Sequence, residues 1–191
     1  YALNRFKEVG KITTTISQEG KPFDFPTMAV DSLPWLIHSI KISKFHYLPF
    51  QSFLNKEIKH FYREVINQST GLVVPEKQFS SMKDFAIRKS SCYDNALVGL
   101  LAKDLPGMKL DNPFKEFNYP DLLVRHFWNG EYFFDDLRKK NYVAGDANLF
   151  PCIFGLIKDQ EMIESIIKKI QEQELDVPFP LKYTKDANDV Q

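Results

Sequence analysis

The sequence predicts an all-α protein whose helices pair into two layers, an inner ring and an outer ring, with one small β-hairpin excursion near the start. Three observations predict it. Helical stripes alternate in kind: segments 30–43, 90–103 and 141–157 are largely apolar, whereas 50–67 and 160–174 carry one apolar face and one charged face. Connections at one end are long and rich in aromatic and acidic residues, as in the stretch 127–136, FWNGEYFFDD. Strand-like composition is confined to 11–17, KITTTIS, followed by a turn at 18–21, and no strand-rich region follows. That pattern argues for helix on helix and against a βαβ fold.

The elements follow in order. Residues 1–27 are mixed and supply the hairpin. The first helix opens at Val30, with Asp31 or Ser32 able to cap it and Pro34 in its first turn. After a break at 45–49, the second helix aligns Phe53, Leu54, Ile58, Phe61, Tyr62, Val65 and Ile66 on one stripe. Residues 71–75 are extended, and 76–89 lack any period and read as a long loop of the kind that is often functional. The third helix, 90–103, takes its cap from Ser90 or Ser91 and its face from Tyr93, Leu97, Leu100 and Leu101; Pro106-Gly107 ends it. A fourth helix covers 121–127. Asn129-Gly130 between aromatic arms predicts a hairpin over 128–136. The fifth helix lies in 141–157, where the polar turn Gly145-Asp146-Ala147-Asn148 runs into an apolar segment and Asp146 reads as its cap. The sixth is 160–174, and prolines keep 175–184 extended.

The totals narrow the function classes. With 191 residues the chain suits a single domain over 1–191, or part of a larger one. Lysine plus arginine (25) equals aspartate plus glutamate (25), so no electrostatic footprint for nucleic acid or for an anionic membrane is present. Nor does any apolar run approach the ~18 residues of a membrane span. Cys92 and Cys152 stand far apart without ligand-like neighbours, which predicts no disulfide framework, no metal and a reducing, cytoplasmic setting. The chain begins at Tyr1 rather than Met, which leaves a preceding segment open.

No Gly-rich phosphate loop, HExxH, CxxC or GxSxG occurs, which argues against nucleotide, zinc-protease and serine-hydrolase chemistry and predicts no cofactor. The four histidines, His38, His46, His60 and His126, have no pairing logic and read as structural. What remains is acids among aromatics at loop–helix junctions: Asp31 before Trp35, Asp84 before Arg88, Asp94-Asn95 after Tyr93, Glu131, Asp135 and Asp136 in the aromatic hairpin, and Asp146 with Asn148. Any one acid is more simply a cap or a surface charge. Glycoside hydrolysis, however, needs a carboxylic acid to protonate the leaving oxygen, a second carboxylate to activate water or attack, and aromatic faces and amides to hold a sugar.

Six short motifs then occur in a fixed order: VDSLPW (30–35), GLVV (71–74), SSMKDF (80–85), SCYDNAL (91–97), FWNGEYFFDDL (127–137) and GDANLFPCIFGLI (145–157). In this the chain resembles the six-hairpin, α/α-toroid glycosidases, the glucoamylase, trehalase and glycogen-debranching glucosidase group. The resemblance implies inverting, metal-free hydrolysis of α-linked glucosides, with an oligosaccharide or disaccharide as substrate. By position, Asp84 resembles the general acid. Asp31 and Trp35 would line the sugar subsite, and Arg88, Tyr93, Asn95, Trp128, Asp146 and Asn148 would line or brace it. Phe79, Ser80 and Met82 stand where the family often places a Trp. The family's base falls in a later hairpin than this chain holds, and six helices rather than twelve are countable. The expectation is therefore a partial or complete α/α toroid, whose partner is the rest of the ring or another copy of the chain. Two rivals stay open: a non-catalytic carbohydrate-binding or helical scaffold module, and sugar epimerisation or lyase chemistry with a histidine base.

Overall fold

The computed structural model describes residues 1–24, 27–83, 86–178 and 181–185, and within them the regular structure is seven α-helices and one two-stranded sheet. In chain order these are α1 (Ala2–Val9), β1 (Thr15–Ile16), β2 (Pro22–Phe23), α2 (Ser32–Ile42), α3 (Gln51–Val65), α4 (Cys92–Asp104), α5 (Tyr119–Phe127), α6 (Gly145–Ile153) and α7 (Gln160–Glu172). Helix α4 packs against α2, α5 and α6, while α3 packs on α2 and α7 on α6.

Helices α2, α4 and α6 run in the same direction. Trp35 meets Tyr93 near the starts of α2 and α4, and Lys41 meets Asp104 near their ends. Cys92 meets Ala147 near the starts of α4 and α6, and the Lys103 ammonium meets the Phe154 carbonyl near their ends. Three helix starts are therefore gathered on one side. The alternation seen in the sequence has its cause here. Residues 92–101 are all buried, because α4 is shared between two apolar clusters. Tyr93, Leu97 and Leu100 pack with Leu123, Phe127 and Ala147. Val98 and Leu101 pack with Ile37, Leu54, Ile58 and Phe61 on the other side. A helix flanked on every face has no polar stripe to show.

The small sheet matches the expected excursion, antiparallel with Thr15 opposite Phe23 and Ile16 opposite Pro22. Helix α1 was not legible: it buries only Leu3 and Phe6 before Gly10 closes it at φ 79, too few apolar positions to establish a period. The aromatic segment 128–136 is a single bridge, Trp128 to Phe133, rather than a two-stranded hairpin. The Asn129 side chain accepts from the N–H groups of Glu131 and Tyr132 and shapes the turn itself.

Helix α6 corrects two expectations. It covers Gly145–Ile153 rather than 141–157, and Asp146 does not cap it: the capping position is Ala144, and Asp146 lies inside the first turn with its carboxylate drawn elsewhere. Pro151 inside α6 leaves the Ala147 carbonyl without its usual N–H donor. The Cys92 thiol of α4 donates to that carbonyl instead, at 3.4 Å. Helix α4, by contrast, is capped as expected, with Ser91 Oγ accepting from Asp94 N–H at 3.0 Å.

Close approach of these helices depends on Gly99. A methyl group there would stand 2.7 Å from Leu156 Cδ1 and 3.0 Å from Tyr119 Cβ. Gly99→Ala is therefore expected to destabilise the fold by about 1–2 kcal/mol in urea titration, overpacking outweighing the helix-propensity gain of ~1 kcal/mol.

Candidate functional site

The loop 81–88 carries two cations that a sequence reading would leave in water. Lys83 and Arg88 are instead about 95% buried, and each faces the same two aspartates. The Lys83 ammonium lies 2.8 Å from Asp146 Oδ1 and 3.3 Å from Asp135 Oδ1. Arg88 Nη1 lies 3.4 Å from Asp146 Oδ2 and 3.6 Å from Asp135 Oδ1, and its Nη2 donates to Ser81 Oγ at 2.7 Å. Tyr142 completes the group by donating its hydroxyl to Asp135 Oδ2 at 2.6 Å. Next to it, Asp136 accepts from Lys89 N–H and from the Arg138 side chain, so that 87–89 and 135–138 run side by side. Asp146 also profits from the positive end of α6.

Burial raises a carboxyl pKa, and nearby cations lower it. For Asp135 the cost of burial is more than offset by Lys83, Arg88 and the Tyr142 hydroxyl, so its carboxyl is held below the ordinary range. Asp94, in the first turn of α4, has the opposite balance: burial outweighs Arg88, Ser91 and Ser81, and its carboxyl is held above the ordinary range. Burial and the adjacent Asp135 raise the Tyr142 phenol, which therefore stays a donor.

An aromatic group stands at the same helix starts, and Asp146 acts electrostatically on its Tyr93 phenol. Trp35 Nε1 donates to Tyr93 Oη at 3.3 Å, and Tyr93 stands edge-on to Phe150 at 4.9 Å. Trp35 packs edge-on to Phe154 at 5.5 Å, and one ring system thus joins α2, α4 and α6. Asn95 and Asn148, each fully buried, occupy the fourth position of α4 and α6 and act alike. Asn95 accepts from Val73 N–H at 2.9 Å and donates to the Ser91 carbonyl at 2.7 Å. Asn148 accepts from Phe133 N–H at 2.7 Å and donates to the carbonyls of Phe133 and Ala144. Each clasps the backbone bridge that follows the preceding helix, Ile66 to Val73 in one case and Trp128 to Phe133 in the other.

Of the residues singled out in the sequence, Trp35, Arg88, Tyr93 and Asp146 meet in this region. Asn95 and Asn148 are buried braces whose amides are taken by backbone. Trp128 is half-buried against Phe133, ring centroids 5.0 Å apart. Asp31 takes the N-cap position of α2 without a side-chain capping bond, and its charge contributes to raising the Tyr93 phenol, after burial. Asp84, the acid singled out for proton donation, lies outside the described residues. Lys83, Ser81 and Tyr142 were not singled out, since no local pattern marks a loop lysine for burial. His38 is held by Asp104 Oδ2 at 2.6 Å, at the far end of α4 from the Lys83 network. Among the described residues no group of three or more His, Cys, Asp or Glu can hold a metal ion, and no helix is long and apolar enough to cross a membrane.

Two outcomes are expected. Arg88→Met leaves Asp146 and Asp135 short of one buried counter-charge and should cost about 3–5 kcal/mol in chemical denaturation. Tyr142→Phe should move acid unfolding to higher pH. Because the folded pKa of Asp135 is depressed, its stabilisation is complete above the unfolded carboxyl value of ~3.9 and is lost as pH falls through the folded value. Removing the phenolic donor brings the folded value up, and circular dichroism against pH reads the displacement.

Comparison with known proteins yields no matching family model and no matching curated relative.

Proposed function

We propose that the protein is a glycoside hydrolase acting on α-linked glucosides by inverting acid/base catalysis, its helix pairs forming part of an α/α toroid. The observation that carries this reading is that an aromatic group, Trp35, Tyr93 and Phe150, and a buried ion network anchored by Asp146 stand at the same end of three parallel helices, with Asp146 acting electrostatically on the Tyr93 phenol. Rings and fixed polar groups mounted on rigid elements are what a sugar site needs. Asp84 donates a proton to the glycosidic oxygen, and a carboxylate from the rest of the ring, or from another copy of the chain, activates the attacking water. Arg88, Trp35 and Tyr93 hold the saccharide, with Asp146 positioning Arg88.

A second reading, a non-catalytic carbohydrate-binding module of the same architecture, is favoured by one observation. Asp135 and Asp146 are each engaged by both Lys83 and Arg88, so neither is at liberty to take a proton from water. Assays of the full-length protein on trehalose, maltose and isomaltose separate the two. Hydrolysis that drops by about 10²–10⁴-fold in Asp84→Asn is the expected result. Undiminished hydrolysis by that variant removes Asp84 from the role, and calorimetric binding of the same sugars without any turnover selects the module.

A further inference from the structure

A recess opens between residues 75–78, residues 87–89 and Leu137. Its outer part is a cleft of about 510 Å³ with the apolar side chains of Pro75, Ile87 and Leu137 on its walls, and Ile87 is 63% exposed there. Through Gln78 and Arg88 it adjoins a pit of about 10 Å³, to whose wall Ser90 and Asp94 contribute. Such a volume admits one water molecule or one hydroxyl group and nothing larger. Asp94 is 94% buried, and its Oδ1 has no hydrogen-bond partner. A buried acceptor of this kind costs stability until something donates to it. Ser90 Oγ already accepts from the Asn95 amide at 3.0 Å, which leaves its own hydrogen to donate. The Ser90 backbone is held at φ 54, in the left-handed region that a serine seldom adopts.

The chemistry of the recess selects a neutral, hydroxyl-bearing ligand. Arg88, with Lys77 and Lys89 on the cleft walls, disfavours a cation, while the unpartnered Asp94 Oδ1 calls for a hydrogen donor, which an anionic oxygen cannot be. A hydroxyl can donate to one group and accept from another, and the C–H face of a pyranose suits a wall of isoleucine, proline and leucine. We propose that this cleft is a second saccharide-binding site, in which a pyranose lies against Ile87 and Leu137 and places one hydroxyl in the pit, donating to Asp94 Oδ1 and accepting from Ser90 Oγ. The choice of ligand rests on the saccharide reading above; the cleft shares Arg88 with that site but not the aromatic group at Trp35. Burial also holds the Asp94 carboxyl above the ordinary range, against the opposing pull of Arg88, Ser91 and Ser81.

Methyl NMR of the intact chain, titrated with maltose, tests this. The Ile87 methyl resonance is expected to shift with maltose. Asp94→Leu should weaken that shift's apparent affinity by about tenfold or more. Trp35→Ala should leave it within about twofold, since additivity holds for separate sites. The exposed variant Ile87→Val keeps a methyl reporter on the rim without threatening the fold and should still respond. A shift in Asp94→Leu with unchanged affinity overturns the assignment and leaves the pit to water alone. Shifts confined to Leu36 and Leu149, near the starts of α2 and α6, overturn the cleft but keep the saccharide reading. No shift of any methyl overturns both.

Discussion

Lys83 and Arg88 sit on a loop with little regular structure, and the loop's position follows from where their charges can be buried. A buried ammonium or guanidinium loses its hydration and must find opposite charge at short range, or it will not stay inside. Asp135 and Asp146 provide that charge from two other parts of the chain, the end of the aromatic segment and the first turn of α6. Four side chains therefore set the relative placement of three segments. Because each cation faces both carboxylates, the loss of one group leaves the others poorly compensated rather than simply fewer. Asp146 itself lies one residue inside the start of α6, whose capping position is Ala144, and its carboxylate faces the two cations.

The same economy appears twice in the neutral part of the site. Asn95 and Asn148 occupy equivalent positions in α4 and α6, and both use an amide to satisfy backbone groups of a bridge that follows the preceding helix. An asparagine can accept and donate at once, so it replaces a strand partner for a segment too short to form a ladder. Helices α4 and α6 thereby hold their preceding loops in the same way, and the repeated unit is a helix, a clasped bridge, a loop and a second helix. Cys92 extends the principle to α6, whose internal proline leaves a carbonyl that the thiol of the neighbouring helix satisfies.

Charge in this region is graded rather than uniform. Asp135 is driven towards the ionised form by two cations and a phenol, whereas Asp94, which also feels Arg88, is driven towards the protonated form by burial. Neighbouring acids pushed in opposite directions are a mark of sites where proton position matters. They are produced here by geometry alone, since the same residue type is present in both places.

Much of the architecture was legible because it depends on local periodicity. The amphipathic stripes of α3 and α7, the apolar face of α4, the Ser91 cap and the turn at 18–21 follow from which residues stand three or four apart, or next to a glycine. Helix α1 escaped because two buried residues make no period, and the 128–136 segment was read as a full hairpin because aromatic alternation does not reveal that one asparagine side chain has replaced the ladder. By itself the sequence determined a mostly helical chain with paired apolar and amphipathic segments and the acids and aromatics at their junctions. Only the tertiary structure decided which of those acids are neutralised, which one is left with an unpartnered oxygen, and that a loop lysine and arginine are interior groups. Burial and pairing are properties of residues some 50 or more positions apart, as Lys83 is from Asp135 (52 positions) and Arg88 from Asp146 (58 positions), and no local pattern encodes them.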